Sequence, residues 1–198
     1  MSRTISWEEI TDAAGKLGVE PCALKAVCEV ESNGSGFLPC GRPKILFEGH
    51  QFWSQLKKRG LDPAALAPRH PDVVYPKWDR SKYKGGAKEY DRLNEALTIH
   101  EEAALCSASW GAFQVMGFNY RLCGYGDVFT FVEAQKRDAA GQLDASCSFM
   151  TANNLTRHLK NKDWAAFARG YNGPGYAQNK YDQKLKAAYE RCLRGAGT

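Results

Sequence analysis

A carboxylate stands where a core residue belongs. In the run Cys28-Glu29-Val30-Glu31-Ser32-Asn33-Gly34, Leu24, Val27, Cys28 and Glu31 fall at i, i+3, i+4 and i+7, which is one helix face. Glu29 sits two positions away, about 200° round the helix, and is expected to face elsewhere. Gly34 and Gly36 are expected to end the helix just after Glu31. A carboxyl there is hard to ionise. The negative helix C-terminus disfavours a second negative group by about 0.3–1 kcal/mol, less than about one pKa unit. Desolvation is the stronger lever and adds up to a few units. A carboxyl that holds its proton at a cleft edge suits general acid catalysis. Read alone, though, the segment fits a solvated Glu at a frayed helix end better.

Two further segments carry polar and aromatic groups suited to a cleft. One is Ser109-Trp110-Gly111-Ala112-Phe113-Gln114-Val115-Met116, the other Arg169-Gly170-Tyr171-Asn172-Gly173-Pro174-Gly175-Tyr176. Singly, each has a plainer reading: close helix packing at Gly111 and Ala112, and a helix C-cap at Tyr171-Asn172-Gly173. The seven cysteines, Cys22, Cys28, Cys40, Cys106, Cys123, Cys147 and Cys192, form no C-x-x-C pair, which argues against a zinc or thioredoxin-like centre. Their odd number, with no apolar leader visible at the N-terminus, favours reduced thiols. Cys28, Cys147 and Cys192 fall on apolar stripes and read as small core residues. His50, His70, His100 and His158 leave a Cys/His pair open, but no local pattern supports one.

The elements that must position these groups are mostly helical. Ser6-Trp7-Glu8-Glu9 forms a capping box opening a helix to Gly18, and Pro21 suits the first turn of the helix carrying Glu31. Lys44 to Phe47 is a short β-prone run ending at Glu48, and Gly49 to Arg59 reads as a helix. Residues 60–86 predict a long loop, a length often functional. Ala87 to Leu105 predicts one helix; a turn at Ser107–Gly111 precedes a further helix over Phe113 to Leu122. Thr130-Phe131-Val132-Glu133 reads as a second capping box, Leu143, Cys147, Met150 and Asn154 as one stripe, and Trp164 to Ala168 and Tyr181 to Cys192 as two final helices. The fold class is therefore mostly α, with a small β element near residues 40–50. The 198 residues, 43% hydrophobic and 25% charged, suit one domain with a real core. Apolar runs are too short for a transmembrane helix. The net charge of +5 suits an anionic partner, but the basic residues form no nucleic-acid-reading motif.

Taken together, Glu-Ser after a short helix, then Ser-x-Gly-Ala-x-Gln, then Tyr-Asn-Gly late in the chain resemble the lysozyme-like superfamily, near goose-type lysozymes and soluble lytic transglycosylases. Val30 to Phe37, with Gly41-Arg42-Pro43-Lys44-Ile45-Leu46-Phe47-Glu48-Gly49-His50, resembles the N-acetylmuramidase domain of bacteriophage endolysins. The resemblance spans roughly residues 5–193 and implies a single lysozyme-like catalytic domain. It implies hydrolysis of the β-1,4 bond between N-acetylmuramic acid and N-acetylglucosamine in peptidoglycan. Glu31 matches the catalytic acid, which would protonate the leaving oxygen. Gln114 and Tyr171 match cleft residues whose amide and phenol can bond sugar groups; Ser109 and Asn172 are further candidates. Trp110 and Phe118 offer faces for sugar rings, with core packing as the alternative.

The second carboxylate stays open. Glu48, ending the β run, is the first candidate, with Asp62, Asp72, Asp79 and Glu101 as substitutes. Without one, the expected reaction is that of a lytic transglycosylase, in which the sugar's own 6-hydroxyl attacks. A non-catalytic wall-binding protein is the remaining alternative. The resemblance implies peptidoglycan as partner, no cofactor or metal, no nucleic acid, no stable membrane insertion and a monomer. It also implies residence in the host cytoplasm until a separate holin releases the protein to the wall. No segment resembles a separate wall-binding module.

Overall fold

The chain is described by a computed structural model over residues 2–32 and 35–196. Helix α1, Trp7–Leu17, opens on the expected capping box: Ser6 Oγ accepts from the Glu9 N–H at 3.1 Å, and the Glu9 carboxylate accepts from the Ser6 N–H at 2.7 Å. It closes at Gly18, whose φ of 63° is the left-handed conformation that glycine adopts cheaply. Pro21 starts α2, Pro21–Glu31. Its face of Leu24, Val27 and Cys28 is buried, and this stripe leads to Glu31 at the last turn. Gly34, expected to help end this helix, and Asn33 lie outside the described residues.

Three short strands, β1 Ile45–Phe47, β2 Ala108–Trp110 and β3 Val115–Met116, form one antiparallel sheet in the order β1-β2-β3. The register pairs Ile45 with Trp110, Leu46 with Ser109 and Phe47 with Ala108. Strand side chains alternate between faces, so Ile45, Phe47, Ala108 and Trp110 enter the core, while Leu46 and Ser109 share the opposite face. The β run near residues 40–50 thus forms as expected. Its partners replace two expectations, the turn at Ser107–Gly111 and the helix over Phe113–Leu122. Positive φ at Gly111 (71°) and Gln114 (49°) turns the chain tightly enough for β3 to return on β2. Only a 3-10 turn, Gly117–Asn119, follows.

The remaining described α-helices are α3 Gly49–Lys58, α4 Pro63–Leu66, α5 Glu89–Ile99, α6 Glu101–Cys106, α7 Val128–Arg137, α8 Ala139–Ala152, α9 Thr156–Lys160, α10 Trp164–Asn172 and α11 Tyr181–Ala196. The helix expected over Ala87–Leu105 is broken at His100. That residue is extended (φ −161°, ψ 108°), and its imidazole caps α6 by accepting from the Ala103 N–H. Asp127, not Thr130, caps α7, accepting from the Thr130 N–H at 2.7 Å; Glu133 pairs with Lys136 instead of closing a capping box. Residues 60–86 are largely loop, as expected, yet Val73, Val74 and Tyr75 are buried in it.

One expectation about the cysteines is overturned. Cys22, in the first turn of α2, and Cys192, on α11, form a disulfide with Cα atoms 5.5 Å apart. Cys192 is therefore a cross-link, not a small core residue. Cys28 and Cys147 are buried free thiols, each pushed by burial up to about 12. The disulfide closes a loop spanning 170 positions, and cross-links of this kind stabilise by about 2–5 kcal/mol. Reduction should lower the urea midpoint, and Cys192→Ser should unfold at that lower midpoint with or without reductant. Identical midpoints for oxidised and reduced protein would remove the bond from the stability account.

Candidate functional site

Helix α2, the sheet and the start of α5 enclose a cavity of about 350 Å³. Its wall is Glu31 and Ser32 from the end of α2, Leu38, Lys44 to Leu46 before and within β1, Gly85, Gly86 and Glu89 before and within α5, and Gly111, Ala112 and Gln114 from the β2–β3 turn. A larger hollow, about 710 Å³, lies across α2 and is lined by Trp7, Lys25, Glu29 and Arg191. Glu29 is exposed there and pairs with Arg191, in keeping with its expected place on the other side of the helix. The smaller cavity combines a half-buried carboxyl with fixed polar groups and is the candidate site.

Glu31 is reached from the far end of the chain. The side-chain amide of Asn172, the last residue of α10, donates to Glu31 Oε1 at 3.0 Å. Burial pushes the Glu31 carboxyl up from its ordinary 4.5, opposed by the Asn172 bond and by the Lys184 ammonium. The net direction is upward, so desolvation wins. Tyr171 and Tyr181 are also pushed up, first by burial and in part by the nearby Glu31 charge. Tyr181 and Lys184, both on α11, were not assigned to the site from the sequence: Tyr181, half-buried, read only as part of a helix stripe, and Lys184, exposed, carried no signal.

The other carboxylate in the wall behaves in the opposite way. Glu89 is fully buried. Its Oε1 accepts from the N–H groups of Lys84 (2.6 Å) and Gly85 (2.9 Å), and its Oε2 from the Phe47 N–H (3.2 Å) and the Arg92 guanidinium (2.8 Å). Burial alone would raise it, but the three backbone donors and Arg92 hold it below the ordinary carboxylate value. Glu89 is thus a fixed anion with four donors on two oxygens. A Glu in the first turn of a helix is ordinary dipole matching, so nothing local marks Glu89 as part of a site.

The candidates from the sequence separate into three groups. Glu31 and Gln114 line the cavity. Asn172 and Ser109 hold them: Ser109 Oγ donates to Gln114 Oε1 at 2.7 Å, while Gln114 Nε2 donates to the Gly111 carbonyl at 2.8 Å. Tyr171, Trp110 and Glu48 lie elsewhere. The Tyr171 ring stacks on Phe167, and its hydroxyl donates to the Phe113 carbonyl at 3.4 Å, with Ser146 Oγ 3.3 Å away. Trp110, weighed as a sugar-stacking face, is 1% exposed and donates to the Leu105 carbonyl at 3.1 Å, so it is a core residue. Glu48 follows β1 but is absent from the cavity wall; its Oε2 accepts from the Tyr83 hydroxyl at 2.7 Å, with His50 Nδ1 at 3.3 Å. Phe118 is exposed, away from the wall.

Gln142, on α8, supports the floor. Its Oε1 accepts from the Ala112 N–H at 2.8 Å and its Nε2 donates to the Gln135 carbonyl at 2.9 Å. A Cβ on Gly36 would fall 1.9 Å from Gln142 Oε1, which explains glycine at that position. The helical stripe of Leu143, Cys147 and Met150 located α8 but said nothing of the neighbouring amide. Among the described residues, no group of three or more His, Cys, Asp or Glu is placed to hold a metal.

A carboxyl of raised proton affinity at a helix end, in one cleft with a small antiparallel sheet of a mostly α fold, is the arrangement of lysozyme-like glycosidases. The chain belongs to the N-acetylmuramidase family, whose pattern it matches over residues 20–193. It is similar in structure to an endolysin of Burkholderia phage AP3, at 45% identity and a TM-score of 0.91, over 97% of this chain and 73% of that one. No curated protein matches it.

Because folding raises the Glu31 pKa, the native state holds this proton more tightly than the unfolded chain does. The associated stability is present below pH 4.5 and is lost as pH rises through the folded value. Glu31→Gln, which cannot ionise, should therefore be more stable than the wild type at neutral pH, with the difference vanishing below about pH 4. Thermal unfolding across that range would measure it, and a variant no more stable at pH 7 would contradict a desolvated Glu31.

Proposed function

We propose that this protein is a peptidoglycan-cleaving endolysin in which Glu31 is the general acid. The observation that carries the assignment is the half-buried Glu31 carboxyl, raised by desolvation and held by Asn172 at the wall of the cleft. With Oε1 occupied by the Asn172 amide, Oε2 is left for the glycosidic oxygen between N-acetylmuramic acid and N-acetylglucosamine. As the C1–O bond breaks and the ring gains oxocarbenium character, the proton passes from Oε2 to the departing oxygen. The resulting carboxylate is stabilised by the Asn172 N–H and the Lys184 charge, the two groups that favour its ionised form. Gln114 has both amide N–H groups committed to the Gly111 and Lys44 carbonyls. Its Oε1, already accepting from Ser109, keeps one lone pair for a sugar N–H or hydroxyl.

Completion of the reaction by water is the leading reading, in line with the family. The observation favouring a second reading is the state of the other carboxylates. Glu89, the second carboxylate in the wall, has both oxygens filled by donors, and Glu48 bonds Tyr83 outside the wall. A lytic transglycosylase, in which the muramic 6-hydroxyl attacks C1, needs no second free carboxylate. Peptidoglycan in the bacterial wall is the partner in either reading. The basic balance of +5 favours approach to an anionic wall. We keep the monomeric state and release through a separate holin as parts of the same proposal.

Glu31→Gln should lower wall clearing by a factor of about 10² to 10⁴, the usual worth of a general acid. Mass spectrometry of the wild-type digest should find reducing muramic ends; 1,6-anhydro ends in their place would establish the transglycosylase. Undiminished clearing by Glu31→Gln would move the acid to another residue. Lys184→Met removes a charge that lowers the Glu31 pKa, so the alkaline limb of the pH–rate profile should shift to higher pH. A limb that stays in place, or moves down, would separate it from Glu31.

A further inference from the structure

The loop preceding α5 holds an aromatic surface that the acid chemistry does not use. Trp78 is 62% exposed, more than any other large apolar side chain among the described residues. A single exposed apolar residue normally needs no explanation, but this one is held in place. Asp79 Oδ1 accepts from the Ser81 N–H (2.9 Å) and the Ser81 hydroxyl (2.7 Å), turning the chain beside it. The Tyr83 ring meets the indole edge-on with centroids 6.4 Å apart. Tyr83 is anchored in turn by its hydroxyl bond to Glu48, and the next two N–H groups, of Lys84 and Gly85, end on Glu89. The indole is thus presented on a braced segment, with one ring contact to Tyr83.

This segment runs into the cleft. Gly85 and Gly86 form part of its wall, and two residues span at most about 7 Å, so the Tyr83 backbone lies within about 7 Å of that wall, with the Trp78 ring packed on the Tyr83 ring. Lys82 and Lys84 pair with Asp72, whereas Lys77 and Arg80, which lie on either side of Trp78 in the sequence, are exposed. An exposed indole with basic residues next to it in the chain suits a substrate of alternating sugar rings, with their C–H faces, and peptide stems bearing carboxylates.

We propose that Trp78, braced by Tyr83, is a distal binding subsite for the peptidoglycan strand. A sugar ring beyond the scissile bond stacks on the indole, and stem carboxylates meet Lys77 and Arg80. The proposal rests on the peptidoglycan reading above and deepens it. It supplies affinity for the polymer from the same chain that cleaves it.

The test uses the full chain carrying Glu31→Gln, so that binding is measured without cleavage, and co-sedimentation with purified sacculi as the readout. Adding Trp78→Ala should weaken binding about tenfold, the order of one good aromatic contact. Trp78→Phe should restore most of it, and thermal unfolding should show that each variant is folded. Equal binding by Trp78→Ala, or sacculus binding too weak to detect in the Glu31→Gln protein, overturns the subsite. If the wild type still cleaves sacculi in that case, the enzymatic reading stands and the subsite alone falls. If the wild type neither binds nor cleaves, both fall. Trp78-dependent binding to phosphatidylglycerol vesicles, with sacculus binding unchanged, would assign the surface to a lipid and also overturn the proposal.

Discussion

The buried pair of Glu89 and Arg92 fixes the wall on which the cleft is built. Arg92 is 3% exposed and Glu89 fully buried. The guanidinium donates to the Phe47 carbonyl (2.7 Å), the Asp72 carbonyl (3.0 Å) and the Tyr75 hydroxyl (2.9 Å), as well as to Glu89. Glu89 takes the N–H of Phe47 on the same strand. Thus β1, the 72–75 loop, the Lys84–Gly85 turn and α5 all converge on two side chains. Burying such a pair costs several kcal/mol per ion unless every lone pair and proton finds a partner. Here the partners are mostly backbone groups that would otherwise be unsatisfied at a sheet edge and a glycine turn. The pair therefore defines geometry more than it adds stability: it holds β1 and the glycine turn on the side of the cleft opposite α2.

The two carboxylates in one wall show how burial alone fails to decide protonation. Both lose water. Glu89 meets four donors and remains an anion; Glu31 meets one amide and a more distant ammonium, and its proton affinity rises. The difference lies in the number and charge of donors aimed at the oxygens. It gives two residues of the same type opposite electrostatic states, one a saturated structural anion and the other a carboxyl of raised proton affinity. It also explains why a second free base is hard to find in this wall, since the carboxylate placed there is saturated by the backbone it organises.

Much of the fold was legible because helical periodicity and capping chemistry are local. The Ser6 box, the stripe of α2, the β run at Ile45–Phe47 and the Leu143–Met150 stripe need only neighbouring residues. What was not legible depended on contacts between segments far apart in the chain. Strand β2 is three residues long and reads as a turn until β1 is beside it. The break at His100 depends on one imidazole reaching the Ala103 N–H. The Cys22–Cys192 bond joins sites 170 positions apart, and no spacing rule selects that pair from seven cysteines. At the site, Glu31 stood out because a charge interrupts an apolar stripe. Glu89 and Gln142 did not, because a Glu early in a helix and a Gln within one break no local pattern. Trp110 misled because its ring suits a sugar as well as it suits a core.

The proton affinity of Glu31 is itself a property of long-range packing. The residue stands on the second helix, yet Asn172, Tyr171, Tyr181 and Lys184, which bond it or share its electrostatic surroundings, lie on the last two helices. Those helices are fastened to α2 at several points: Cys22 to Cys192, Glu29 to Arg191, and Glu20 to Tyr189 on α11 and to Lys162 just before α10. If α11 withdrew, water would reach the Glu31 carboxyl. Desolvation, the leading cause of its raised pKa, would then be lost, and its proton affinity would fall toward that of an ordinary carboxylate. Docking of the C-terminal helices therefore stabilises the fold and also sets the chemistry of the residue it covers. At Glu31 alone the two demands oppose each other, since the desolvation that keeps the proton in place is an energetic cost to the native state at neutral pH. The cross-links between α2 and α11 offset that cost, which gives a physical reason for concentrating them on the helix that bears Glu31.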